Sequence, residues 1–143
     1  MSATAAQIAQ LRRMVAEADD TTYDDDALAG YIEAYPRLDE RGEEPYTWDT
    51  STEPPSEDEN ESWIPTYDLN AAAADIWEEK AAAVASEYNF SADGGKYDLS
   101  KKHEQYLKMA RRYSSKRCPT TVALHKWPDE VDDSWIVNAA ESD

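Results

Sequence analysis

Leu69 to Tyr88, with the sequence LNAAAADIWEEKAAAVASEY, is the stretch that decides the fold. Its apolar side chains recur at helical spacing, and its many alanines are the strongest helix formers. One side of the predicted helix carries Ala73, Ile76, Trp77, Ala81, Val84 and Tyr88. Asn70 can cap its first turn. We therefore predict a long central helix, whose small side chains allow neighbouring helices to approach closely.

Two shorter helices are predicted on the N-terminal side of this stretch. The first spans about residues 4–18 and carries three apolar side chains at helical spacing, namely Ile8, Leu11 and Val15. Asp24 can cap the second helix, and Pro36 ends it because proline disfavours helical geometry in the residue before it. The buried face of this second helix is predicted to be Leu28, Tyr31, Ile32 and Tyr35.

A last long helix is predicted on the C-terminal side. Residues 89–95 read as a turn, because two glycines there can adopt positive φ. Ser100 can cap the helix that follows, which is expected to run to about Lys116. Its buried face is predicted to be His103, Tyr106, Leu107, Ala110 and Tyr113.

Residues 37–68 differ in character, because prolines interrupt a stretch rich in Glu, Asp, Ser and Thr. The run from Glu53 to Glu61 carries five acids and no base, which is typical of a solvated or disordered loop. Tyr46-Thr47-Trp48 and Trp63-Ile64 flank this run, so two short strands can close it as an extended hairpin. Regular core structure is not expected in this region.

The C-terminal tail combines apolar anchors with acids and shows no helical period. The anchors are Trp127, which precedes a proline, and the run Trp135-Ile136-Val137. Because tryptophan is enriched among binding hot spots, this pattern is typical of a segment that lies on another protein. The alternative is that Trp127 and Trp135 fold back onto their own domain.

Together these elements predict a mainly α fold, a small bundle of about four helices with an acidic loop or hairpin insertion and an extended C-terminal tail. We expect a helical domain at 1–117 with the insertion at about 37–68, and an extended docking arm at 118–143. The length of 143 residues fits one domain. No apolar run reaches the ~20 residues of a membrane span, so a soluble protein is expected. Cys118 cannot form an internal disulfide and no signal peptide is recognised, so assembly inside the cell is expected.

The charge is strongly negative and unevenly distributed. Acidic residues number 31 against 14 basic ones, a formal net charge of -17, which disfavours non-specific binding to nucleic acid. Residues 1–69 hold 18 acids and 4 bases, whereas residues 70–143 hold 13 acids and 10 bases. The excess acid either serves a local task or adapts the protein to concentrated salt, where charge self-repulsion is screened. The second interpretation predicts poor folding in low salt.

The last helix carries the only cluster of bases in the sequence. Its cations are Lys101, Lys102, Lys108, Arg111, Arg112, Lys116 and Arg117, and Glu104 is the acid among them. One interpretation is a solvated helix face. The other is a docking face for an acidic neighbour, including the acidic half of another copy, in a head-to-tail pairing that can close into a ring.

No catalytic, metal or cofactor motif is present in the sequence. His103 and His125 lie too far apart for a zinc motif, and Cys118 has no evident catalytic partner. The glycines that follow Asp93 do not form a phosphate-binding pattern. Abundant carboxylates form close pairs by chance, so they carry no evidence for acid–base catalysis. We predict a protein that is not an enzyme and that needs no cofactor.

Several of these segments resemble the head-tail adaptor (connector) family of tailed phages. The similar segments are the first two helices, about residues 5–36, and the stretch at about 66–117, which together cover about 60% of the chain. They include Tyr67-Asp68-Leu69-Asn70 with the alanine-rich helix, the turn at 89–95, and the segment from Tyr106 to Tyr113. With the acidity, the resemblance points to a virus of a salt-loving host, such as a haloarchaeal tailed virus.

The resemblance implies a structural virion protein of the neck, assembled in the host cytoplasm. It implies a ring of twelve copies below the portal protein, which extends the DNA channel towards a further neck or tail-completion protein. Packaged DNA would pass through the lumen without sequence-specific binding. On this mapping the portal-docking residues are Trp127, Trp135, Ile136 and Val137, and the subunit-interface basic face is Lys101, Lys108, Arg111, Arg112, Lys116 and Arg117.

Two alternatives belong to other functional classes. An acidic decoy that mimics DNA would carry its carboxylates in a duplex-like row and would bind a basic nuclease. A regulatory binding protein of unrelated ancestry would stay monomeric and would have no affinity for a portal. Direct DNA binding is disfavoured, because the surrounding negative field opposes the approach of DNA at low salt and high salt weakens phosphate contacts.

Overall fold

A computed structural model describes residues 2–88 and 96–119 of the chain. This part is mainly helical, as predicted, and contains four helices and one two-stranded hairpin. The elements in chain order are α1 (Ala5–Met14), α2 (Asp25–Glu33), β1 (Tyr46–Asp49), β2 (Ser56–Glu59), α3 (Leu69–Tyr88) and α4 (Lys96–Ser114). The predicted turn at 89–95 and the tail at 120–143 lie outside the described residues.

Local side chains fix where α1 and α2 begin. Thr4 and Gln7 form a reciprocal capping box at the start of α1, and Asp24 accepts a hydrogen bond from the Ala27 N–H at the start of α2. The Asp24 cap is confirmed. The predicted extent of α1 to about residue 18 is wrong, because Ala16 adopts a left-handed conformation with φ of 57° that ends the helix.

The cost of the left-handed backbone conformation at Ala16 can be measured by substitution. Ala16→Gly is expected to raise the free energy of unfolding by about 0.5–1 kcal/mol, since only glycine adopts positive φ without a steric penalty. Ala9→Gly, at an exposed position within α1, is the matched control and is expected to lower it by about 1 kcal/mol. Urea denaturation of both variants measures the two changes. Equal losses in both variants would contradict the assigned helix end.

The core forms where α1, α2 and α4 meet α3. Ala72, Ala73 and Ile76 of α3 are fully buried, and small side chains on its other faces are buried too. Around α3 the core is completed by Leu11, Val15, Tyr23, Leu28, Ile32, Trp63, Tyr67, Trp77 and Ala110. The predicted central helix is therefore confirmed as the element on which the others pack. Its N-terminal cap is Asp68, whose carboxylate accepts hydrogen bonds from the Asn70 and Ala71 N–H groups, rather than the predicted Asn70.

The helix α4 runs antiparallel to α3. Trp77 contacts Tyr106 with ring centroids 5.2 Å apart, while the residues just after α4 reach the first turn of α3. Ala110 is buried and His103, Tyr106, Leu107 and Tyr113 are half-buried, so the predicted face of α4 is confirmed. The predicted start at Ser100 is wrong, since the helix already begins at Lys96.

The hairpin forms with a different second strand from the one predicted. Strand β1 pairs antiparallel with β2, which is the acidic run itself, with Trp48 opposite Glu57 and Tyr46 opposite Glu59. Trp63-Ile64 is not a strand. Trp63 is 5% exposed, and its indole N–H donates to the Arg37 carbonyl oxygen at 2.8 Å. The insertion therefore does contribute to the core, contrary to expectation.

Asp39 joins the beginning of this insertion to its end. One carboxylate oxygen accepts hydrogen bonds from the Arg41 and Glu43 N–H groups, at 2.8 and 2.9 Å. The other accepts from the Ile64 N–H at 3.2 Å and pairs with the Arg41 guanidinium at 3.0 Å. Burial alone would raise the pKa of Asp39, but these hydrogen bonds outweigh burial and lower the pKa to about 2.

The folded state should therefore lose stability as the pH falls, and part of this loss should come from protonation of Asp39. The unfolded carboxyl group takes up a proton near pH 3.8, the folded one only near pH 2, so the stabilising contribution is complete above about pH 5 and is lost towards pH 2. Thermal unfolding at constant ionic strength should show wild type well above Asp39→Asn at pH 6, with the gap closing by pH 2. Asp58→Asn, on the exposed strand β2, corrects for the loss of one negative charge. A gap that is the same at both pH values would contradict this role.

Candidate docking site

An open groove lies between the end of α2, the hairpin, and the start of α3. Its volume is about 490 Å³, within the ~300–1,000 Å³ that binding pockets commonly have. Apolar and aromatic side chains form much of its lining: Tyr35, Pro36, Leu38, Pro45, Tyr46 and Trp48. Charged groups on its lining come from Arg37, Glu44, Glu57, Asp68 and Arg117. We call this feature the groove.

The hairpin register explains how two aromatic rings reach the groove. Side chains two residues apart on a strand share one face, so Tyr46 and Trp48 point to the same side, together with their cross-strand partners Glu57 and Glu59. Trp48 is 63% exposed, Leu38 48% and Tyr46 39%. Of the four large apolar side chains that stay exposed in the described part of the chain, these three line the groove.

Asp68 and Asp75 hold the end of the described chain at the floor of the groove. Asp68 is 6% exposed, and while one of its oxygens caps α3, the other accepts a hydrogen bond from the Cys118 N–H at 2.7 Å. Asp75 pairs with the Arg117 guanidinium at 2.6 Å and accepts a hydrogen bond from the Tyr35 hydroxyl. The hydrogen bond to Asp75 and burial raise the pKa of Tyr35. These contacts fix the position of Arg117 and Cys118 next to the start of α3.

Arg117 therefore differs from the other predicted interface cations. Its guanidinium lies 5.6 Å from the centre of the Tyr35 ring as well as pairing with Asp75, because the chain turns back over α3 after α4 ends at Ser114. The structure therefore places Arg117, which was predicted on the basic docking face, against Asp75 of α3 and on the lining of the groove.

The remaining cations lie on the outer side of α4. Lys101, Lys108 and Arg112 are exposed and are spaced by about two and one helical turns, so they form one stripe opposite the buried Ala110. Arg111 is exposed beside this stripe, and Lys116 is exposed just after the end of α4. We call these five residues the basic face. The structure thus brings together five of the six predicted interface cations.

The acidic counterpart lies on the hairpin. The carboxylates of the run at 53–61 all belong to exposed residues, namely Glu53, Glu57, Asp58, Glu59 and Glu61. We call this set the acidic hairpin. Opposite charges therefore occupy different elements of one molecule, which is the arrangement that head-to-tail pairing of copies requires.

The residues that were predicted to dock on the portal belong to the C-terminal tail. Trp127, Trp135, Ile136 and Val137 lie outside the described residues. Sequence reasoning had treated Tyr46 and Trp48 only as strand formers and had missed Leu38 as a site residue. The period of two along β1 could have placed both rings on one face, but nothing local pointed to Leu38.

Metal ligands and membrane-spanning helices are two further features that a functional site could include. Within residues 2–88 and 96–119, no group of three or more His, Cys, Asp or Glu side chains is arranged to hold a metal ion. The helices of the same part are too short or too polar to cross a bilayer. Comparison with known proteins finds no matching family model, no matching curated protein and no matching solved structure.

Proposed function

We propose that this protein is a structural head-tail adaptor of a tailed virus, a neck subunit that forms a ring below the portal and joins capsid to tail. The observation that carries the proposal is the separation of charge between the basic face on α4 and the acidic hairpin. Two complementary surfaces on one small helical subunit favour association of copies head to tail, and such pairing closes into a ring when the rotation per step allows.

The other parts of the proposal come from the sequence. The four-helix arrangement is consistent with the resemblance to the adaptor family. Portal protein would be contacted through Trp127, Trp135, Ile136 and Val137, and neighbouring subunits through the basic face. A net charge of -17 would keep packaged DNA from adhering to the channel wall, because like charges repel. A further neck protein would bind the opposite end of the ring.

An acidic DNA mimic is the second candidate function, and the exposed carboxylates of the acidic hairpin favour it. On a short hairpin, however, side chains alternate between two faces, so these carboxylates do not form one continuous row. Tight binding to a basic nuclease by a monomeric form would support the mimic over the adaptor.

Charge swapping tests whether copies associate as proposed. Lys108→Glu with Arg112→Glu should abolish concentration-dependent self-association in sedimentation, and Asp58→Lys with Glu61→Lys should do the same. Mixing the two variants should restore a complex, because the reversed surfaces are again complementary. The association should weaken as salt rises from about 0.1 M to 1 M, where the Debye length falls from about 10 to 3 Å. Variants that self-associate like wild type, or a mixture that stays monomeric, would contradict this contact.

A further inference from the structure

The groove lies at the point where the described chain ends. Cys118 and Pro119 both line it, and the backbone of Cys118 is held there by Asp68. The 24 residues that follow are therefore attached to the chain at the groove. Any segment of this tail competes for the groove at a high effective concentration, because a short tether replaces free diffusion.

We propose that in the isolated chain the groove is occupied by residues 120–128 of the same chain, with Trp127 as the anchor. Trp127 lies eight residues beyond Pro119, so an extended chain reaches up to about 27 Å, which is enough to turn back along the groove. Trp127 precedes Pro128, and extended segments that contain proline dock in grooves lined by aromatic rings. Tyr46 and Trp48 supply such rings.

Charge favours this near part of the tail over the far part. Residues 120–128 contain no carboxylate and one lysine, Lys126, whereas residues 129–143 contain six carboxylates. The lining of the groove carries three carboxylates, on Glu44, Glu57 and Asp68, against the cations Arg37 and Arg117. Arg117 is neutralised by its pairing with Asp75, and Glu59 shares the face of the hairpin that carries Glu57. A neutral to basic segment is attracted to this rim, while an acidic one is repelled. The same carboxylates offer acceptors for the indole N–H that a buried tryptophan must satisfy.

Docking of this segment also removes exposed apolar surface from water. Leu38, Tyr46 and Trp48 are the large side chains that it would cover. The hydrophobic gain is proportional to the apolar area buried, so an exposed tryptophan at the rim is the largest single contributor. Trp135, Ile136 and Val137 lie beyond the docked segment. On the proposed function, Trp127 also contacts the portal, so it would leave the groove when the portal binds. Only this release step rests on the proposed function.

Hydrogen exchange on the full-length chain tests the proposal. In wild type, backbone amides of residues 122–127 should exchange at least about tenfold more slowly than those of residues 138–143 in the same molecule. Trp48→Ala and Trp127→Ala should each abolish the difference. Ile64→Ala, which removes an exposed apolar side chain outside the groove, is the matched control and should leave the protection unchanged.

Three results would overturn the proposal. Residues 122–127 that exchange at the free rate in wild type would mean that the groove is empty. Protection that survives Trp48→Ala would place the segment elsewhere. Protection that disappears on dilution would identify the occupant as the tail of a second copy. Because no portal is present in the sample, failure here leaves the adaptor proposal untouched, and failure of portal binding leaves this inference untouched.

Discussion

Replacing Lys80 with methionine is expected to lower the free energy of unfolding by about 2–4 kcal/mol, a large share of the ~5–15 kcal/mol that holds a typical domain together. The Lys80 ammonium group donates to the Val15 carbonyl oxygen at 2.6 Å and pairs with the Glu17 carboxylate. Both side chains of the pair are only 14% exposed. Methionine keeps the apolar stem but leaves a carboxylate desolvated without its partner.

The position of Lys80 explains why one charge matters so much. It lies beyond the last turn of α1, where carbonyl groups lack helical partners and a cation is favoured. Its ammonium also lies 4.8 Å from the centre of the Trp77 ring, and the Trp77 indole N–H donates to the Met14 carbonyl oxygen at 3.3 Å. Two side chains of α3 thus complete the end of α1.

Urea denaturation of Lys80→Met and of one control variant measures the loss in free energy of unfolding. Lys108→Met, on the exposed stripe of α4, should change the free energy of unfolding by less than about 0.5 kcal/mol. Glu17→Gln combined with Lys80→Met should cost less than the two single changes added together, because the double variant leaves no unpaired charge. If Lys80→Met were as mild as the control, the pair would not stabilise the fold as described.

Replacing Asp68 with alanine is expected to cost about 2–4 kcal/mol, because it removes a helix cap and a second hydrogen bond from one buried carboxylate. The Asn70 and Ala71 N–H groups lose their acceptor at 3.0 and 3.2 Å, and the Cys118 N–H loses its acceptor at 2.7 Å. The variant should therefore both destabilise α3 and release the start of the tail.

Asp68→Asn separates these two effects. The asparagine carbonyl oxygen can still cap α3, so part of the stability should return, while its amide NH2 group, which only donates, replaces the oxygen that accepts from the Cys118 N–H, and that hydrogen bond is lost. Thermal unfolding measures the first effect, and the exchange rate of the Cys118 amide measures the second. Loss of stability without faster exchange at Cys118 would contradict the assigned link between α3 and the tail.

The sequence carried enough information for the helices because their signals are local. Alanine-rich periodicity marked α3, and Asp24 followed by acids marked the start of α2. The end of α1 was not predicted because alanine is a good helix former and residue 16 therefore carries no local signal for a helix end. Its left-handed conformation is set by tertiary contacts. The cap of α3 was assigned to Asn70 because Asn and Asp rank equally at this position, and only the fold selects Asp68.

The hairpin and the buried charges could not be predicted from local sequence, because they depend on residues that are far away in the chain. Trp63-Ile64 looked more strand-like than the acidic run, yet an exposed strand needs only backbone pairing, and Trp63 is required in the core. Asp39 and Lys80 could not be identified among 31 acids and 14 bases, since their partners are up to 65 residues away. The groove could not be predicted for the same reason, because five separated segments of the chain form it.

Portal binding by the full-length chain tests the central claim most directly. An immobilised portal ring from the same virus should retain the wild-type protein in molar salt, where apolar anchors persist and weak charge contacts are screened. Trp135→Ala with Ile136→Ala and Val137→Ala should reduce retention at least about tenfold, whereas Ile64→Ala should not. If wild type with intact helical circular dichroism is not retained, the adaptor account is contradicted and the acidic mimic or regulatory protein takes its place.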